Sequence, residues 1–172
     1  MTNTIYGLIT LVGIGIVVFI NIPKETQEDT KQNIVKVDTI KKDLLLEAMI
    51  IVESNGNDSC IGDRNLGRPS VGCLQIRPIM VREVNRILRK QKIKKKYTLN
   101  DRYSRKKSIE MFYIWRDYHH SEDSDEVIAR CWNGGPKGWK KKSTRYYWIK
   151  VVKEKYWLKV KQEINYKLHV SN

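Results

Sequence analysis

Residues 38–54, DTIKKDLLLEAMIIVES, constrain this chain more than any other stretch. Apolar side chains recur there at helical spacing. The segment reads as a helix with one buried face, Asp38 or Thr39 as its cap and Asn55-Gly56 as its stop. Leu45, Leu46, Met49 and Ile50 lie one or two turns before Glu53, so they share its face. An apolar stripe that ends on a carboxylate must either pair that acid or keep it protonated. Desolvation favours the neutral form and raises the pKa, and the negative end of the helix dipole acts in the same sense. A carboxyl kept neutral near pH 7 is what glycosidic bond cleavage asks of a general acid. The plain alternative is a structural glutamate that caps the helix or pairs with an arginine.

Downstream the helical period continues. Residues 56–76 are rich in Gly, Asp, Asn and Ser and read as loop. Pro78 opens a helix to about residue 91, with Met80, Val81, Val84, Ile87 and Leu88 on one side. Another runs from Ser104 to about His120 and carries Ile109, Phe112 and Tyr113. Ser124, Asp125 and Glu126 start a fourth, which Asn133-Gly134-Gly135-Pro136 ends. A last helix covers about Thr144 to Leu168. There is no internal repeat and no strand alternation, so the expected architecture is all-α. The 172 residues suffice for one domain with a real core.

Ahead of that domain, residues 5–22 read IYGLITLVGIGIVVFINI, without a charge. Their length is near the minimum for a membrane span. No Lys or Arg precedes the run and no A-x-A site follows, which favours an uncleaved anchor over a signal peptide. The expected division is an anchor at 1–22, a polar linker at 23–37 and a catalytic domain at 38–172. That domain would then be membrane-anchored and extracytoplasmic, or part of a virion.

Thirty-three Lys and Arg against nineteen Asp and Glu give a net charge of +14. The excess sits on residues 77–120 and 137–172, as on a surface that meets a polyanion, or on a merely Lys-rich one. No nucleic-acid motif accompanies it, so no nucleic-acid partner is expected. Cys60, Cys73 and Cys131 lack the recurring spacing of zinc ligands, so no metal is expected. In an oxidising compartment Cys60 and Cys73 could close a short disulfide loop.

Three further stretches follow Glu53 in order: SVGCLQIRP at 70–78, IARCWNGGPKGW at 128–139 and TRYYWIKVV at 144–152. With the Glu-Ser pair they resemble lytic transglycosylases of the soluble-transglycosylase (SLT) type, which have a goose-type-lysozyme-like fold. ESNGNDSCIGDRNLGRPSVGCLQI resembles phage-associated members of that family in particular. The resemblance covers about residues 40–157. It implies a lysozyme-like single domain behind the N-terminal transmembrane helix. The implied activity is cleavage of the bond between N-acetylmuramic acid and N-acetylglucosamine, on peptidoglycan glycan strands, without a cofactor. Glu53 takes the place of the catalytic acid/base and Ser54 that of the serine beside it. Gly72 takes that of a glycine letting the turn approach the sugar, and Gln75 that of the glutamine that bonds glycan. Trp132 stands for a cleft tyrosine, Asn133 for the turn that shapes the cleft floor, and Tyr147 for the tyrosine that faces the acid.

Two departures count. The Leu-Met step of the family is Cys73-Leu74 here, and the stretch after Gly-Pro is short, without the second glutamate of larger members. A hydrolytic lysozyme is the nearest rival reading, with Asp58 or, better, Asp63 as a second carboxylate. Asp63 reads equally as an Asx-turn residue. A non-catalytic wall-binding virion protein on the same scaffold is the other rival.

Overall fold

In a computed structural model that describes residues 43–170, the apolar stripe of the first helix lies in the middle of the core. This helix, α1 (Leu44–Ser54), begins at Asp43, whose Oδ1 accepts a hydrogen bond from the Leu46 amide at 3.0 Å. Residues 38–42, where the sequence placed the cap, lie outside the described residues. The helix ends where Asn55 turns left-handed (φ 52°) and sends its N–H back to Ile50 and Ile51. A two-stranded antiparallel hairpin follows, β1 (Ile61–Gly62) with β2 (Ser70–Val71). Then come α2 (Pro78–Lys90), a 3-10 turn (Leu99–Tyr103), α3 (Arg105–His119) and α4 (Asp125–Gly134). Two short 3-10 turns lead into α5 (Arg145–Val170). All of these belong to one compact unit, Asp43–Asn172.

Leu45, Leu46, Met49 and Ile50 of α1 are all buried, against Val151 and Tyr147 of α5 and the centre of α3. Phe112 meets Trp132 edge-on at 5.3 Å between ring centres, and Trp115 meets the same Trp132 at 5.1 Å. Such edge contacts add about 0.5–1.5 kcal/mol each beyond burial. Arg102 is buried beside the hairpin and donates to the carbonyls of Leu99, Pro69 and Ile76. A guanidinium carries enough donors to serve several carbonyls at once, which is how a buried charge is tolerated here.

Two expectations are corrected. The fold was read as an all-α domain behind a transmembrane helix. The domain is mostly helical but carries the hairpin, and among the described residues no helix is long and apolar enough to cross a membrane. Helix α5, at 26 residues, has the length. It fails on composition, with Lys or Arg at 145, 150, 153, 155, 159, 161 and 167. The expected membrane-anchored, extracytoplasmic or virion-associated placement loses its support with it. The apolar segment 5–22 on which it rested lies outside the described residues. Cys60, Cys73 and Cys131 are all free thiols here.

Candidate functional site

A cleft of about 820 Å³ runs past the end of α1. Glu53 lines it together with Asp63 of the hairpin, Gln75 and Arg77 of the following turn, and Ile79, Met80 and Glu83 of α2. The lining also includes Trp115, Trp132, Asn133 and the Gly134–Pro136 turn, with Lys141, Ser143 and Thr144.

The local sequence explains why the acid ends up there. Ser54, next to it, donates to the Ile50 carbonyl within the helix (3.2 Å) and lies 2.9 Å from the Cys73 carbonyl. The end of α1 is thereby tied to the turn after β2. Protein surrounds Glu53 on nearly every side, while part of its surface opens on the cleft. Burial raises its pKa from 4.5 to about 7. Tyr147 and Lys150 of α5 oppose the rise, and the negative charge of Asp63 adds to it.

Tyr147 is buried, and its hydroxyl faces Glu53 without a hydrogen bond of normal geometry to any group. Its effect on Glu53 is that of a donor to the ionised form. Burial pushes the phenol itself well above its ordinary value, so it remains a donor. Tyr147→Phe should therefore raise the Glu53 pKa further and carry the decline of activity to higher pH; a pH profile left in place would show that the hydroxyl does not act on the acid.

Gln75 lines the cleft, but its amide is turned inward. Its Nε2 donates to Gly72 O (3.0 Å) and Cys60 O (3.2 Å), and its Oε1 accepts from Ser70 Oγ (2.9 Å). Only one acceptor lone pair is left for a ligand. The backbone pays for this in a left-handed φ of 47° at a non-glycine residue. A Cβ on Gly62 would run into that amide, 2.2 Å from Oε1, so the hairpin is shaped around it.

Gly72 does a different job from the one the motif implied. It is left-handed (φ 83°), and a Cβ there would lie 1.9 Å from the Arg102 carbonyl oxygen. The missing side chain makes room for the 3-10 turn, not for a ligand, and Gly72 is not among the cleft-lining residues.

Trp132 donates its indole N–H to the Leu74 carbonyl at 3.3 Å. It presents the cleft with the part of its ring that the core leaves open. Asn133 is exposed, and its side-chain amide has no hydrogen-bond partner among the described residues. The turn behind it is braced by Arg130, which is buried. Arg130 donates to Glu126 (2.5 Å), Thr144 Oγ1 (3.0 Å) and Lys141 O (3.1 Å). Thr144 in turn donates to Gly138 O at 2.7 Å.

Among the expected residues, then, the structure brings Glu53, Asp63, Gln75, Trp132 and Asn133 to one cleft. It sets Tyr147 against Glu53 from α5, and leaves Ser54 and Gly72 as supports outside the lining. Asp58 is not in the lining either; it is held by Arg105 at 3.1 Å. Several lining residues escaped the sequence reading, three of them on α2. Ile79, Met80 and Glu83 form one face of α2, and Ile79 stays 64% exposed. The signal was an apolar Ile79 off the buried stripe of Val81, Val84, Ile87 and Leu88. Glu83 is held ionised, its pKa lowered to about 2 by hydrogen bonds from Arg86 and then His119. Among the described residues no group of three or more His, Cys, Asp or Glu could hold a metal ion.

No family model matches the chain, and no curated protein matches it. The fold is similar to a chain in the crystal structure of Aeromonas hydrophila PliI in complex with Meretrix lusoria lysozyme. The two share 22% identity at a TM-score of 0.54, over 65% of this chain and 88% of that one. At that identity the likeness is one of fold, to a distant neighbour that comes from a complex containing a lysozyme. The transglycosylase resemblance continues to rest on the four sequence motifs.

Proposed function

We propose that this protein is a peptidoglycan lytic transglycosylase, with Glu53 as its single general acid and base. One observation carries the reading: a carboxyl held near pKa 7 by burial, opening on a cleft. An Asn133 side chain without a partner and a half-buried indole, Trp132, line the same cleft, as suits a sugar with amide and hydroxyl groups. The neighbour's crystal, with its lysozyme, is in keeping with a wall-related interaction.

In this mechanism Glu53 gives its proton to the bridging oxygen as the bond from C1 of N-acetylmuramic acid breaks. The substrate's own acetamido oxygen stabilises the cation at C1. Glu53, now a carboxylate, accepts a hydrogen bond from Tyr147. It then takes the proton of the C6 hydroxyl as that oxygen closes on C1, which regenerates the acid and leaves a 1,6-anhydro end. Neither a metal nor an organic cofactor enters the scheme. A hydrolytic outcome is the second reading, because Asp63 lines the same cleft and its charge reaches Glu53.

Digestion of purified peptidoglycan with mass analysis of the fragments tests both. The expected fragments carry anhydro ends, one water lighter than hydrolysed ones. Exclusively reducing ends would replace the transglycosylase with a lysozyme, and no released fragments would end the enzyme reading.

A further inference from the structure

Arg77 connects the two outcomes. It stands at the cleft, directly before α2, and donates twice to one oxygen of Asp63, from Nε at 3.1 Å and from a terminal nitrogen at 2.7 Å. Asp63 itself is held left-handed, at φ 50°. Its charge is the smallest of the four influences on Glu53, so the two carboxyls are in electrostatic range, and no hydrogen bond joins them. Asp63 thus shares the cleft with Glu53 and is the second carboxylate there that water could use as a base.

From this geometry we propose that Arg77 is a positioning residue that sets the partition between ring closure and hydrolysis, by occupying the Asp63 carboxylate. The inference rests on the glycan-cleaving reading above. Once C1 is cationic, two oxygens compete for it. If the C6 hydroxyl attacks, its proton returns to Glu53 and the anhydro ring closes. If water attacks, its oxygen bonds to C1 and its proton passes to Asp63. Glu53 is then reprotonated from solvent while Asp63 releases its proton to solvent. Both Arg77 bonds end on the same Asp63 oxygen and keep the carboxylate turned toward the guanidinium, so the pair disfavours the second route. Both partners are nearly half exposed (46% and 43%), so the hold is partial and some hydrolysis should persist in the native protein.

Arg77 suits the test because it caps α2 by backbone alone, with no side-chain cap bond, and Pro78 starts the helix. Its truncation leaves that helix start in place. Fragments from wild type, Arg77→Ala, Arg77→Lys, Asp63→Asn and the Arg77→Ala/Asp63→Asn double variant are compared by mass at matched turnover. Arg77→Ala should raise the share of hydrolysed ends by roughly two- to fivefold. Arg77→Lys should restore part of the native ratio, and the double variant should fall back to the low share of Asp63→Asn. A ratio unmoved by Arg77→Ala, or raised equally in the double variant, overturns the proposal while the enzyme reading stands. A wild type that releases nothing overturns both.

Discussion

Glu53→Gln should abolish release of glycan fragments, a loss of at least about a thousandfold, because the amide has no proton to give and no base to take one back. The same substitution should stabilise the protein in alkaline solution. In the native fold the acid titrates near 7, against 4.5 without the burial. Below pH 4.5 the group is protonated in both folded and unfolded chains and costs nothing. As pH rises from 4.5 through 7 the unfolded chain gives up the proton first, and folding stability falls by about 3 kcal/mol. Glutamine has no such window, so urea unfolding of Glu53→Gln should be flat in pH where the wild type declines. Activity of the wild type should decline over the upper part of the same range, because only the protonated form can start the reaction. A variant with equal pH dependence of stability would mean that Glu53 is not the buried acid described here. A variant that is flat but fully active would leave the burial intact and remove the catalytic role.

Gly72→Ala is expected to be among the most damaging single changes outside the cleft. A left-handed alanine costs roughly 1–2 kcal/mol by itself. The new methyl would also lie 1.9 Å from the Arg102 carbonyl, which already accepts from Ser108 Oγ at 2.9 Å. Backbone cannot yield as a long side chain can, so the total should reach about 3–5 kcal/mol, a large part of what a domain of this size holds in reserve. Gly135→Ala is the control, since that glycine also has a positive φ (80°) but nothing within 4 Å of the new methyl. It should cost only the conformational part. Similar losses for both glycines in thermal or urea unfolding would show that the close approach of Arg102 matters little.

The contrast between these two glycines also marks where the sequence was legible. What depends on neighbours along the chain could be read. The apolar face of α1, its stop at Asn55, the helix start at Ser124 and Pro78 at another are all local signals, and the structure has each of them. The hairpin was not readable, because strands of two residues carry no alternation to detect. Gly72 was assigned to the ligand side of its turn because its actual neighbour, Arg102, lies thirty residues on. Gln75 was likewise assigned outward. Its inward bonds to Cys60 and Gly72 require the hairpin to exist first. Glu83 and Ile79 were passed over because a helix shows its buried stripe in sequence, but not which exposed residues overlook a cleft. Tyr147 could be placed only through a motif. Its meeting with Glu53 depends on how α1 packs against α5, nearly a hundred residues apart in the chain.

Helix α5 divides its length between two unlike environments. Tyr147 and Lys150, in its first two turns, touch the chemistry of Glu53, and Val151 is sealed in the core. Residues 163–169 are all exposed. At about 1.5 Å per residue, the acid and the last turns stand some 20–30 Å apart along one continuous helix. The remote end is therefore a natural handle. A dye, a surface tether or a fused module can be joined there without entering the space that keeps Glu53 protonated.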